Sequence, residues 1–452
     1  MHCSWGNGIA SHHRDPSSPK HISTVSHPIQ SAQLQTKFNM PLTPEQVQII
    51  KATVPILAEH GNTITTRFYG NMLRENPELN NIFSNTHQVT GHQPRALAMS
   101  LYAYASNIDD LGVLSPTVEL ICQKHASLYI RPEHYDIVGT YLLAAMKEIL
   151  GDALTPDIHD AWAAAYWQLA NLMIGKEADL YAHAGRWTDW RDFRIARKVR
   201  ESAEITSFYL APVDGEPLPT FLPGQYISIQ ADVPDLEFKQ ARQYSLSDAP
   251  NPAHYRISVK REDGAAADDR AHPGYVSNVL HARKHEGDVL RVSHPFGDFY
   301  FDARAAVPDA PVVLLSAGVG LTCLLAILNS LTETQSARPL RWIHAARSSA
   351  ARAFGEHVGT LAARHANLER KLFVSRVAEG DVQGRDYDVV GRLDLAKLDK
   401  ERDLLVGDAK AQYFVCGPER FMVDMQKGLK ALGVDEERVH LELFGTGGVP
   451  KA

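Results

Sequence analysis

The sequence predicts a multidomain chain in the order all-α, antiparallel β-barrel, α/β. Three observations carry that expectation. Apolar residues fall at helical spacing from just after Met40 to about Ala184. The pattern then changes to short alternating runs separated by Gly, Pro and Asp. From Pro311 onward, apolar strands alternate with helical stretches, as in a parallel sheet. A chain of 452 residues has room for about three domains of ~150 residues.

The first unit opens with "PLTPEQVQIIKATVPILAEHG", where Thr43 reads as an N-cap, Pro44 as the first helical residue and Gln46 as the end of a capping box. Gly61 reads as the residue that ends this helix. Five further helical segments follow, and periodicity alone fits a bundle or a globin. In the middle unit, "FRIARKV", "ITSFYLAPV", "GQYISIQ", "QYSLS", "YRISVKR" and "DVLRVSHP" read as six strands of a small barrel. In the last, "PVVLLS", "LRWIHAA", "KLFVSRV" and "QYFVCG" read as parallel strands. The expected division is 40–184, 190–303 and 308–452, after a disordered extension at 1–39 that holds five His and little apolar periodicity. Met40 is a candidate start alongside Met1.

Composition excludes several classes. A net charge of -7 argues against general nucleic-acid affinity. The four cysteines form no CxxC pair, which fits a reducing cytoplasm and indicates neither a disulfide framework nor a zinc site. The most apolar run, "PVVLLSAGVGLTCLLAIL", is glycine-broken and too short to span a bilayer, so no obligatory membrane attachment is expected.

Within the helical unit, Val118, Ile121, Cys122, His125 and Tyr129 fall on one stripe. An imidazole there is either a core histidine with one satisfied hydrogen bond or a metal ligand. In "VVLLSAGVGLTCLLAIL", Gly318 and Gly320 let backbone amides approach a pyrophosphate at a helix N-terminus, although glycines also end strands for purely structural reasons. Cys416, Gly417 and Pro418 stand at a later strand end on the same sheet edge. In the barrel, "RQYSLS" offers Arg242 for a phosphate, Tyr244 for stacking and Ser245 for a ring edge. "PGYVSNVLH" opens a helix on Gly274.

In this order and spacing, these motifs resemble the ferredoxin–NADP reductase family over residues 190–452. With the helical unit in front, 41–446 resembles the bacterial flavohaemoglobins, the nitric oxide dioxygenase family. The resemblance implies haem b, with its iron held by His125, and FAD and NAD(P)H as further cofactors. It implies a proximal network of Tyr135 and Glu177, and a distal pocket of Tyr69, Gln93 and Leu97, with Phe83 wedging the haem. For FAD it implies Tyr226, Arg242, Gln243, Tyr244 and Ser245, the Gly274, Val276 and Ser277 turn, and Leu443, Phe444, Gly445 and Thr446, with Phe444 over the flavin ring. For NAD(P) it implies Gly318, Val319, Gly320, Leu321, Thr322 and Cys323 with the Cys416–Pro418 turn. Two positions depart from the family pattern. Cys323 and Thr446 stand where prolines are expected, and both are expected to loosen loops near the nicotinamide. Lys124, beside the haem ligand, is expected to face the flavin unit, and His344, Arg347 and Ser348 to approach a 2′-phosphate.

The function implied is conversion of NO and O2 to nitrate with NAD(P)H, electrons passing through FAD to haem without a protein donor. An oxygen carrier or sensor would not need the fused reductase. A ferric or quinone reductase would use the haem only as a relay.

Overall fold

The structure is a computed structural model that describes residues 41–84, 88–234, 236–264 and 274–445. The expected extension, Met40 and Thr446 lie outside the described residues.

Helices α1 (Pro44–Ala52), α2 (Val54–Glu75), α3 (His92–Ser106), α4 (Ser115–Ser127), α5 (Pro132–Leu150) and α6 (Pro156–His183) form the first unit. Thr43 caps α1 through both bonds of the expected capping box. Gly61, however, lies inside α2 and is buried, and the chain breaks at Thr53 instead. The cause is Pro55, which has no N–H and whose ring crowds the carbonyl of Lys51. Thr53 turns the break into a packing feature. Its hydroxyl donates to Ile50 O at 2.7 Å and accepts from the buried indole of Trp162 at 3.2 Å. α2 crosses α3 and α5, and α4 lies against α6. Ile64, Phe68, Met72, Leu142, Met146 and Trp162 fill the space between.

Six strands form the second unit: β1 (Arg191–Arg200), β2 (Ile205–Pro212), β3 (Tyr226–Asp232), β4 (Lys239–Ser245), β5 (Tyr255–Lys260) and β6 (Val289–Val292). Their order is β4-β3-β6-β1-β2-β5, with every pair antiparallel. A bridge between Leu246 and Ile257 joins the two edge strands, which closes the barrel. Helix α7 (Tyr275–Arg283) adds Val276, Val279 and Leu280 to its core.

The third unit is a six-stranded parallel sheet. Its strands are β7 (Val312–Ala317), β8 (Leu340–Ala346), β9 (Leu368–Val374), β10 (Val389–Val390), β11 (Gln412–Cys416) and β12 (Val439–Glu442). Helices α8 (Leu321–Glu333), α9 (Gly355–Arg364) and α10 (Glu419–Ala431) cover it. The order β10-β9-β8-β7-β11-β12 reverses direction at β7. Ligands bind in such sheets beyond the strand ends at that reversal. β10 and β12, both at the sheet edges, were not among the expected strands.

The break at Thr53 yields a direct test. Thr53→Val keeps the shape but leaves the Trp162 indole N–H buried without an acceptor, so unfolding free energy should fall by about 1–3 kcal/mol. Urea unfolding followed by tryptophan fluorescence reads the change, and an unaltered midpoint would mean that the bond contributes nothing.

Candidate functional site

Helix α4 delivers His125 two residues before it ends at Ser127, flanked by buried Cys122 and Ala126. Tyr129 does not share its stripe: past the helix end it takes φ 56°, and its hydroxyl accepts from His294 N at 3.0 Å in the barrel. The partners of His125 come from the next two helices. Tyr135 lies in the first turn of α5 and Glu177 near the end of α6. Tyr135 Oη donates to Glu177 Oε1 at 2.6 Å. His125 Nδ1 lies 2.9 Å from the same Oε1 and 3.0 Å from Tyr135 Oη. Burial, and then the neighbouring Glu177, raise the Tyr135 phenol far above its ordinary range, so it stays a donor. With the Tyr135 proton committed to Glu177, the network assigns the His125 proton to Nδ1, shared between the carboxylate and the phenol oxygen. Nε2 is left as a lone pair. It has no hydrogen-bond partner among the described residues, and the His125 side chain keeps 32% of its surface. An outward imidazole nitrogen whose opposite nitrogen is tied to a carboxylate is the donor arrangement a haem iron requires.

Elsewhere in the helical unit, Tyr69 of α2 is buried, and Phe83 meets its ring edge-on at a centroid distance of 5.6 Å. Gln93 Nε2 donates to Tyr69 Oη at 3.4 Å, leaving the Tyr69 proton uncommitted. Burial pushes the Tyr69 phenol up to about 12, so that proton stays in place throughout the physiological range. Leu97 packs against the helical core beside them.

The barrel presents β3 and β4 to the helical unit. Their register pairs Tyr226 with Ser245, Ile227 with Tyr244, Ser228 with Gln243 and Ile229 with Arg242. The predicted set is therefore one continuous patch of two strands. Ser228 Oγ donates to Ser127 Oγ at 2.9 Å, and Gln243 Nε2 reaches both hydroxyls at 3.2 and 3.4 Å. Ser127 is two residues from His125, so the barrel strand and the histidine share one helix end. The Tyr226 hydroxyl is buried with no partner at full hydrogen-bond geometry among the described residues, the Ser127 hydroxyl being its nearest polar neighbour. A buried orphan of that kind suits a polar ligand edge such as a flavin. Arg242 is enclosed, and burial lowers its guanidinium from the usual value. Gly274 caps α7, and Ser277 Oγ donates back to Gly274 O at 3.2 Å; the Val276 side chain is packing for the barrel core.

At the sheet reversal, Gly318 turns with φ +58°, and a Cβ on Gly320 would sit 2.3 Å from the carbonyl oxygen of Cys416. Two strand ends thus meet backbone to backbone, bringing Gly318–Gly320 beside Cys416 and Gly417. Thr322 Oγ1 donates to Val319 O at 3.1 Å, and Cys323 Sγ approaches Gly320 O at 3.5 Å. Leu321, Thr322 and Cys323 are buried, so Cys323 fills the place of the expected proline as a packed side chain.

Three findings depart from, or go beyond, the expected set. His344 is 2% exposed, donates to or accepts from Ser316 Oγ at 2.8 Å, and is driven down to about 3 by burial and then Arg352. It is packed inside the sheet, with Nε2 buried and unpartnered among the described residues, whereas Arg347 is exposed. Phe444 is 44% exposed. Lys124 Nζ donates to Gly445 O at 2.6 Å, tying α4 to the segment after β12. Beside it, Asp298, Leu443 and Glu442 line a cavity of about 280 Å³ shared by all three units. Glu442 reaches that cavity yet is enclosed enough for desolvation to raise its carboxyl to about 8, against the pull of Lys124. Lys124 and Glu442 are 318 positions apart, and nothing local in the sequence marks their meeting.

The two glycines give a graded prediction. Gly320→Ala drives a methyl into a backbone that cannot move aside and should destabilise the chain by about 1–3 kcal/mol or more. Gly318→Ala meets open space and should cost only the left-handed strain, about 1–2 kcal/mol. Thermal unfolding of the two variants should rank them in that order; the reverse ranking would contradict the close approach.

Residues 66–173 match the Globin family, and residues 314–427 match the Oxidoreductase NAD-binding domain family. The chain is 51% identical over 413 residues to a flavohemoprotein of Bordetella parapertussis, covering 90% of this chain and 100% of that one. It is 44% identical over 408 residues to a flavohemoprotein of Rhizobium meliloti, covering 89% and 98%. Among solved structures, it is similar to a Malassezia yamatoensis flavohemoglobin with bound FAD and heme. That match has a TM-score of 0.78, 30% identity and coverage of 89% and 100%. It is also similar to the FAD/NAD binding domain of a nitric oxide dioxygenase from Vibrio cholerae, at TM-score 0.50, 36% identity and coverage of 57% and 99%. A globin fold joined to a reductase barrel and an NAD-binding sheet, with relatives matched from end to end, places this chain in the flavohemoprotein family.

Proposed function

We propose that this chain is an NAD(P)H-dependent nitric oxide dioxygenase that turns NO and O2 into nitrate and so removes NO. The observation that carries the proposal is the His125–Tyr135–Glu177 network on the same chain as a two-strand flavin patch and a dinucleotide crevice. A carrier globin has no need of the last two. The Nδ1-bonded His125 ring, the buried Tyr226 hydroxyl and the close approach at Gly320 support haem b at His125 Nε2, FAD along β3 and β4, and the coenzyme pyrophosphate at Gly318–Gly320, with the units divided at 40–184, 190–303 and 308–452. When bound, haem supplies an iron centre for O2, and FAD splits the coenzyme's two-electron hydride into single-electron steps.

The chain's own residues then divide the work. Glu177 and Tyr135 hold His125 in one tautomer and raise its basicity as a ligand. Tyr69 offers its uncommitted proton to whatever ligand sits opposite His125, with Gln93 orienting it and Phe83 and Leu97 excluding water. Arg242 supplies a cation for the flavin pyrophosphate, and Tyr226, Gln243, Tyr244 and Ser245 fix the ring. Gly320 keeps the crevice narrow enough for backbone amides to touch the coenzyme.

With all electron-transfer parts on one chain, no protein donor is required. Among the described residues, no helix is long and apolar enough to cross a membrane. Cys122, Cys323 and Cys416 are free and buried. Thiols in that state fit the cytoplasm as the proposed location.

The reading is tested by NADH oxidation in air with and without NO, with nitrate measured. NO should be consumed with stoichiometric nitrate; NADH oxidation indifferent to NO would leave a reductase instead. His125→Ala should lose stable haem binding, and retention of a normal oxygenated spectrum would remove His125 from its role. Tyr69→Phe deletes a hydrogen bond of about 1.5–3 kcal/mol to a partly charged oxygen. Oxygen release from the reduced holoprotein should therefore speed by roughly ten- to a hundredfold, and an unchanged off-rate would mean the hydroxyl is not used.

A further inference from the structure

The crevice beyond β7 has a second wall that bears on which coenzyme enters. β8 runs parallel to β7 with Ala345 level with Ala317, so Arg347 and Ser348 stand just beyond the height at which Gly318 turns the chain. In dinucleotide-binding sheets, the end of that neighbouring strand faces the adenosine ribose. A carboxylate there accepts from the 2′-hydroxyl, whereas an arginine accommodates a 2′-phosphate. Here both groups are present and paired with each other: the exposed Arg347 guanidinium is held by the Glu204 carboxylate.

Glu204 does not belong to the sheet. It sits in the barrel turn between β1 and β2, and that turn is fastened to the third unit. Ala203 N donates to Ala350 O at 3.0 Å, and Ile205 is 3% exposed within the core that also holds Val312 and Leu324. Ser202 Oγ accepts from the backbone N–H of both Glu204 and Ile205, at 3.2 and 3.1 Å, and Arg261 N donates to Glu204 O at 2.9 Å. The carboxylate is therefore presented by a backbone tied on both sides. Arg376, at the end of β9, donates its backbone N–H to Arg347 O at 2.9 Å, and its exposed side chain has no ion pair among the described residues.

Resting on the reading that NAD(P)H is the electron donor, we propose that Glu204 is the specificity-determining residue for the coenzyme, biasing this chain toward NADH by occupying Arg347. A 2′-phosphate entering this wall has to take Arg347 from Glu204 and then lies beside a carboxylate whose main chain is tied to both units. The 2′-hydroxyl of NADH meets no such repulsion. The pair is exposed and contributes little by itself. The discrimination comes from a negative charge that competes with the phosphate for Arg347 and repels it at close range. Arg376 remains as a cation, so NADPH is disfavoured rather than excluded.

The test uses the full-length holoprotein and two probes that differ only in the 2′-phosphate, 5′-AMP and 2′,5′-ADP, titrated calorimetrically. In Glu204→Gln the affinity ratio of 2′,5′-ADP to 5′-AMP should rise about tenfold, and adding Arg347→Ala to that variant should cancel the gain. Anaerobic flavin reduction should show the same split, with the apparent KM for NADPH falling relative to that for NADH and the limiting rates little changed. A ratio that stays within twofold of wild type while 5′-AMP still binds would overturn the proposal. So would a wild-type chain that already prefers NADPH. Absence of 5′-AMP binding in the wild type would instead overturn the dinucleotide reading beneath it, and NO turnover enters none of these readouts.

Discussion

A carboxylate that is 2% exposed must find donors, and Glu177 finds two, the Tyr135 hydroxyl and the His125 ring N–H. Removing a partner from a buried charge typically costs 3–5 kcal/mol, more than most single contacts contribute. That constraint fixes the mutual placement of α4, α5 and α6, one donor or acceptor from each. It also fixes chemistry. With the proton on Nδ1, Nε2 presents a lone pair, and only in that tautomer can His125 serve as the proposed ligand. Structure and reactivity therefore rest on the same three atoms.

The end of α4 that holds His125 is also where the reductase docks. Ser127 joins Ser228 and Gln243, Gln123 Oε1 accepts from Gly297 N at 3.0 Å, and Lys124 reaches Gly445. Consecutive residues of one helix, Gln123, Lys124 and His125, thus touch the barrel, the segment after the last strand and the Glu177 carboxylate. Such a seam leaves little room for the barrel to move without moving His125. On the far side, Phe299 and Phe301 meet Phe414 edge-on, and Asn329 Nδ2 donates to Asp248 Oδ1 at 2.7 Å, so barrel and sheet are joined with comparable directness.

The order of fold classes was legible because each unit has its own apolar period, 3.6 residues in the helices and two in the barrel strands. Local breaks were read less well. Gly61 reads as a stop because a lone glycine signals a helix end and gives no hint of burial within α2, while the break comes from Pro55. Tyr129 kept the helical spacing of His125 on paper, and only its left-handed backbone after Ser127 turns it toward the barrel. β12 alternates apolar and polar as Val-His-Leu-Glu, but four residues are too short a run to stand out, and β10 has only two. In the site, periodicity could put His125 on a buried face but could not tell core from ligand. Tyr135 and Glu177 lie 10 and 52 positions away, and their relevance came through family resemblance rather than from any local pattern. Lys124 with Glu442, and Arg347 with Glu204, are pairings made by docking between units, for which a single sequence carries no signal.

The buried Glu177 carboxylate, acting through Nδ1, should make His125 an unusually electron-rich ligand in its proposed role. The most direct measurement is the haem midpoint potential of Glu177→Gln, which keeps the shape and an acceptor but removes the charge. The potential should rise by about 60 mV or more, a tenfold change in the one-electron equilibrium. A potential equal to that of the unaltered chain, with haem still bound, would contradict it.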